Sequence, residues 1–162
     1  MTDLMITGIM ACTQRGVIGE DGKLPWDLPK ELEHFQNTVR SGIMIMGRKT
    51  FESTGEKILS ECFNFVLSKD KRQNTANVTF ASSLEELLDL LPRHPNRKIF
   101  MIGGAKVAEL FLRHNLVSDF LLTKIHKEYK GNEFFPLHLL ENWRKVVAKS
   151  GDDFTVFRYF RE

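Results

Sequence analysis

Cysteine is scarce in this chain: Cys12 and Cys62 are the only two among 162 residues. They are too few and too far apart for a disulfide framework or a cysteine-based metal site. Cys12 lies in an apolar run, where a thiol is ordinarily inert core. Net charge is nearly absent too. The formal value is +2 and the basic residues are scattered, so charge offers no argument for nucleic acid. No apolar run reaches membrane-spanning length. No repeat, low-complexity tract or linker divides the chain, and neither GxGxxG nor a P-loop occurs. The histidines, His34, His94, His114, His126 and His138, have no metal-ligand spacing. The opening MTDLMITGIMAC lacks the basic start and small-residue cleavage site of a signal peptide, so the cytoplasm is the expected location. No metal, membrane or nucleic-acid partner is expected.

What is present suits one domain with a full-sized core: 42% hydrophobic and 27% charged residues, and thirteen phenylalanines for an aromatic-rich interior. Buried strands are expected at LMITGIMA, IMIMG and KIFMIGG, short and mostly apolar runs, and further strands at CFNFVLS and NVTFA. Helical spacing of Leu32, Phe35 and Val39 predicts a helix from Pro29 that ends at RSG. A short helix or turn is expected at RKTFESTG, and a longer helix at AKVAELFLRHN. SSLEELLDLLP carries a capping-box pattern, Ser82 to Glu85 or Ser83 to Glu86. GVIGEDGKLPW is expected to be a loop. SDFLLTKIH, NWRKVVAKS and DFTVFRYFRE read as strands with no long helix between them. The implied fold is α/β and three-layered, a mostly parallel sheet with helices on both faces and an antiparallel edge from the strand-rich tail.

The stretch LPWDLPKELEHF crowds Asp27, Glu31 and Glu33 around Trp26 and Phe35. Asp27 precedes the helix, where an acid favourably faces the N-terminus. Glu33 points away from the apolar face, and His34 is expected to be exposed. Glu31 shares its face with Phe35, one turn on. A carboxylate against apolar surface is costly unless something pairs with it. That partner could be an arginine or a ligand offering paired N–H donors, and the helix alone leaves the choice open. Two strand–glycine–helix junctions lie elsewhere. MGRKT carries Gly47, Arg48, Lys49 and Thr50; IGGAKVAE carries Gly103, Gly104 and Lys106. Such junctions can be tight packing or phosphate-binding sites. Two of them, one with adjacent cations, favour a dinucleotide over a single phosphate.

In this order, GVIG, LPWDLPKELEHF, IMIMGRKTFESTG, FNFVLS, KIFMIGGAKV, LLTKI and GNEFFP resemble dihydrofolate reductase over residues 4 to 136, and FTVFRYFRE resembles the family's last strand. The resemblance implies one domain over residues 1–162 with an eight-stranded sheet and an adenosine-binding part at about 42–96. It also implies a monomer that reduces dihydrofolate to tetrahydrofolate for one-carbon metabolism, using NADPH. Hydride would reach pterin C6 and a proton N5. Glu31 resembles the family's pocket acid, Thr123 the hydroxyl that supports it, and Trp26 the residue that orders a water nearby. Ile9, Met10, Ala11, Leu24, Phe35, Thr54, Ile58 and Ile102 would line the substrate side. Ala11, with Ile18 and Gly19 of the mobile loop, would meet the nicotinamide. Gly47, Arg48, Lys49, Thr50, Ser68 and Lys69 would hold the adenine-side phosphates, where cations favour NADPH over NADH. Gly103 and Gly104, joined by a cis peptide, would lie with Ala105, Lys106 and Val107 under the pyrophosphate and nicotinamide.

Several positions depart from the family's pattern. The arginine that holds the glutamate tail of folate falls on Glu61 or Cys62, and two auxiliary basic positions are Gln36 and Glu56. Either another cation such as Lys57 takes over, or the preferred substrate is a dihydropterin without the tail. Ala108 replaces a tyrosine beside the nicotinamide, and Asn132 replaces an acid that helps fix the mobile loop.

Overall fold

The structure is a computed structural model and describes residues 4–19, 24–53, 61–70, 72–92 and 96–161. Its strands are β1 (Ile6–Thr13), β2 (Val17–Gly19), β3 (Ile43–Gly47), β4 (Phe63–Leu67), β5 (Val78–Ala81), β6 (Ile99–Met101), β7 (Asp119–Ile125), β8 (Glu133–Phe134), β9 (Arg144–Ser150) and β10 (Phe154–Phe160). The helices are α1 (Pro29–Val39), α2 (Arg48–Ser53), α3 (Leu84–Leu90) and α4 (Ala105–Arg113), with a 3₁₀ turn at Leu137–Leu140. Among the described residues no helix is long and apolar enough to cross a membrane.

Eight strands form one sheet in the order β5-β4-β3-β6-β1-β7-β10-β9. Pairing is parallel from β5 through β7 and antiparallel at β7–β10 and β10–β9. The expected architecture and its antiparallel tail are therefore observed. Continuous apolar runs make the central strands because both sheet faces are covered. One face packs Leu87 of α3 and Phe111 and Leu112 of α4 against Phe120 and Met101. The other packs Phe35 and Val39 of α1, and Phe51 of α2, against Met44, Met46 and Val66. Strand β9 is the free edge, exposed along its length, and Arg144, Lys145 and Lys149 charge it against further pairing.

Local chemistry sets the helix ends. Pro29 occupies the first turn of α1, where its missing N–H costs nothing. Ser83 caps α3 by accepting from the Glu86 amide at 3.1 Å, and Glu86 reaches back to the Ser82 amide at 3.2 Å. Of the two expected capping pairs, Ser83 to Glu86 is the one formed.

The loop expected at GVIGEDGKLPW is not wholly irregular. Val17–Gly19 pairs antiparallel with β8, a two-stranded ribbon beside the main sheet. The Asn132 amide donates to Gly19 O at 3.0 Å and the Phe135 amide to Gly16 O at 2.7 Å. Gly131 allows this approach, since a Cβ there would overlap the Gly19 carbonyl oxygen and the Val17 side chain. Gly131→Ala is expected to displace the ribbon and lower stability by about 1–3 kcal/mol. Urea unfolding measures the loss, and amide exchange at Val17 and Phe135 locates it.

Candidate active site

A cavity of about 420 Å³ opens at the carboxyl ends of the parallel strands, the usual ligand crevice of such sheets. Its walls explain why α1 is thinly covered. Leu32, on the helix, is 42% exposed and Phe35 only half-buried, so part of the apolar stripe faces open space instead of core. Ile9, Met10 and Ala11 of β1, Leu24, Trp26, Glu31 and Phe35, Ile102 and Thr123 all line it. Ile18 and Gly19 of the ribbon line it as well, with Lys49, Thr50 and Gly104. Among the sequence-derived candidates, Gly47, Arg48, Ser68, Lys69, Gly103, Ala105, Lys106 and Val107 are outside this lining. Thr54 and Ile58 lie outside the described residues, as do Glu56 and Lys57.

The two glycine junctions prove to be neighbours. Strands β3 and β6 are parallel partners, and at their carboxyl ends the Gly47 amide donates to Gly103 O at 2.8 Å. The Gly103–Gly104 peptide is cis, and Gly103 has φ +108. Any Cβ at Gly103 would meet Met10 Cε at 2.7 Å, so glycine keeps this wall bare. Gly104 heads α4 and, having no side chain, supplies no capping hydrogen bond to the first helical N–H groups. Ser68 is 5% exposed and its hydroxyl donates to Asp70 O at 3.1 Å, which shapes the turn carrying Lys69.

The ionisable groups lining the cavity are Glu31, His34, Lys49 and Glu133. Burial alone pushes Glu31 up to about 7. No described residue gives it an ion pair or hydrogen bond. Thr123, 2% exposed on β7, and Trp26, 6% exposed, line the same cavity. The Trp26 indole Nε1 is buried with no hydrogen-bond partner among the described residues. Trp26 packs on Tyr129 with ring centroids 6.1 Å apart.

Leu32, His34, Ser53 and Glu133 line the cavity, and sequence reasoning missed them. His34 is a correction. It is half-buried, not exposed, with its ring 6.4 Å from that of Phe154 and its Nε2 buried without a hydrogen-bond partner among the described residues. Burial first, then the Lys149 charge, holds it below the usual histidine value. Its place three residues after Glu31 was the available signal. Ser53 likewise follows Thr50 by three. Glu133 gave no local signal, because its place depends on pairing between β2 and β8. Ala108 is fully buried among core side chains and does not line the cavity. Cys12 is fully buried, its thiol pushed up to about 12 mainly by burial, as suits inert core.

A mainly apolar cleft at the carboxyl ends of parallel strands, with a half-buried acid on one wall and a cation near the glycine junctions, suits a small α/β enzyme of the nucleotide-dependent kind. The family model described as dihydrofolate reductase matches residues 5–159. The chain belongs to the dihydrofolate reductase family, the oxidoreductases of tetrahydrofolate metabolism. It is 35% identical over 134 residues to a dihydrofolate reductase of Lactococcus lactis subsp. lactis, covering 82% of this chain and 78% of the relative. A Staphylococcus haemolyticus dihydrofolate reductase is 32% identical over 148 residues, 91% of this chain and 86% of its own. One from Bacillus subtilis is 34% identical over 148 residues, 91% and 84% respectively.

The Glu31 shift makes stability depend on pH. The native state holds a proton that the unfolded chain sheds near the ordinary glutamate value, about 4.3. Stability therefore falls as pH rises from there through about 7. Glu31→Gln is expected to be about 1–3 kcal/mol more stable than the parent at pH 8 and nearly equal to it at pH 4, by urea unfolding at both values. His34 has the opposite sign, since its lowered value removes stability as pH falls through it.

Proposed function

We propose that this chain reduces 7,8-dihydrofolate to 5,6,7,8-tetrahydrofolate with NADPH, and that Glu31 is the group that reads the pterin ring. The observation that carries this is a cavity-lining carboxylate raised to about 7 by burial and given no partner by the described residues. The pterin edge presents N3–H and a 2-amino group side by side. A carboxylate accepts both at once, and a charge-assisted pair of this kind offsets the cost of burial. Glu31 would orient the ring and bias its protonation, with Thr123 supporting the pairing. The unpaired Trp26 Nε1 suits a donor to a water beside Glu31. Ile9, Met10, Phe35 and Ile102 would press the ring flat and keep the dielectric low, with Leu24, Thr54 and Ile58 completing the wall.

The residues present fit a dinucleotide. The bare wall at Gly103 and Gly104 and the uncapped start of α4 would take the pyrophosphate on the amides of Ala105, Lys106 and Val107. Ala11, Ile18 and Gly19 would flank the nicotinamide; Gly47, Arg48, Lys49, Thr50, Ser68 and Lys69 would serve the adenine side, in an adenosine-binding part of about 42–96. When bound, the reduced nicotinamide supplies the hydride for C6 while N5 takes a proton, so the protein contributes alignment and exclusion of water. The working form is a cytoplasmic monomer.

A second reading concerns the substrate's tail. Cys62 is 3% exposed and its thiol donates to Val39 O at 3.4 Å, so it is core. Glu61, the other candidate for the tail arginine, is an exposed acid. Arg97 lies over the Phe63 ring at 4.7 Å and donates to Ser41 O at 3.0 Å. The reading of a dihydropterin without a glutamate tail rests on the absence of an arginine at 61 or 62, and Lys57, the other cation that could serve the tail, lies outside the described residues. NADPH oxidation measured with dihydrofolate and with an unconjugated dihydropterin tests both readings. Turnover of dihydrofolate is expected; a strong preference for it removes the second reading, and failure with both substrates removes the first. In the same assay Glu31→Gln should lose on the order of a hundredfold in hydride transfer at pH 7 and regain part of it in acid, where solvent protonates the ring.

A further inference from the structure

Among the described residues the ionisable groups lining the cavity are Glu31 and His34 on α1, Lys49 on α2 and Glu133 on β8. Glu133 is brought there by strand pairing. It is the register partner of Gly19 across the β2–β8 ribbon, and the Asn132 amide just before it donates to Gly19 O at 3.0 Å. Its side chain lies along the Gly19 backbone. A Cβ built on Gly19 would stand 2.8 Å from Glu133 Oε1 and 3.1 Å from the carboxyl carbon. Glycine at 19 thus lets a carboxylate lie close against a segment that itself lines the cavity. Phe135, 3% exposed and donating its amide to Gly16 O at 2.7 Å, anchors the chain just beyond. Glu133 is half-buried, so its charge stands at a wall and not in bulk water.

That wall is where Ile18 and Gly19 would flank the nicotinamide. Hydride donation removes a proton and two electrons from a neutral dihydropyridine ring and leaves one positive charge on it. The hydride goes to pterin C6, and N5 takes its proton from solvent. The phosphates and the adenosine are the same before and after. Whatever the carboxylate does to them is common to both redox states and cancels from the ratio of their affinities. What remains is the attraction between a fixed negative charge and a positive one that only the oxidised form carries. In a cavity walled largely by apolar side chains such a pair is screened less than in water.

We propose that Glu133 sets the preference of this site between oxidised and reduced nicotinamide, by holding a carboxylate against Gly19 at the nicotinamide wall. This rests on the NADPH reading and adds to it a residue that neither the helix pattern nor the motif order pointed to. Glu133 acts through its charge, not by touching the reacting atoms. The same charge eases departure of the hydride and holds the oxidised nucleotide more firmly afterwards.

Calorimetric binding of NADP+ and of NADPH to the pterin-free chain tests it without any turnover. Glu133→Gln keeps the shape and removes the charge. It is expected to weaken NADP+ about 3- to 10-fold and to leave NADPH within about twofold. Glu109→Gln, which deletes an equal charge from the exposed pair with Arg113 on α4, should change neither. Amide exchange at Asn132 in the Glu133→Gln protein should match the parent, which separates loss of charge from loosening of the ribbon. A Glu133→Gln protein that keeps the parent's ratio of the two affinities, or loses both nucleotides alike, overturns the inference alone. So does a changed ratio accompanied by faster exchange at Asn132, or an equal change in the Glu109→Gln protein. A parent chain that binds neither nucleotide overturns the NADPH reading as well.

Discussion

The Glu31 carboxylate lines the cavity with Leu32 and Phe35 of α1, with burial as the sole cause of its raised value and no ion pair to it among the described residues. Most proteins pair a buried acid internally, because an unpaired one costs several kcal/mol. Leaving it unpaired lowers the stability of the chain at neutral pH and, in the proposed function, keeps its acceptor oxygens for the pterin. The partly exposed apolar stripe of α1 follows from the same arrangement. Filling the space above Leu32 and Phe35 with core would bury the acid completely and close the site.

The sheet supplies the rest of the geometry. Parallel strands bring their carboxyl ends, and hence the segments that follow them, to one side of the molecule. That is why Ala11 near the end of β1, Gly47 at the end of β3 and Gly103 after β6 converge, although they are far apart in the chain. Glycine at 103 holds a positive φ and leaves Met10 room. The β2–β8 ribbon then adds a wall made of backbone, with Glu133 beside Gly19.

Much of this was legible in the sequence because it is written in local periods. Leu32, Phe35 and Val39 gave α1, and IMIMG gave β3 at the observed boundaries. The motif order gave the family, and Glu31 was visible as an acid on an aromatic face. The ribbon was not legible, since strands of three and two residues are too short to show a period. His34 was misjudged because the helix stripe was read through Leu32, Phe35 and Val39. Its own side packs on Phe154, more than a hundred residues later. The place of Glu133 depends on a pairing between distant segments, which local pattern does not encode.

All of these features converge on the protonation of one side chain. The most direct measurement is a carbon-13 NMR titration of the Glu31 carboxyl, in the free protein and with a pterin bound. A midpoint near 7 in the free protein, falling by at least a unit when the ring's paired N–H donors arrive, is the expected result. A midpoint in the ordinary glutamate range without ligand, or one that does not move when the pterin binds, would contradict the account.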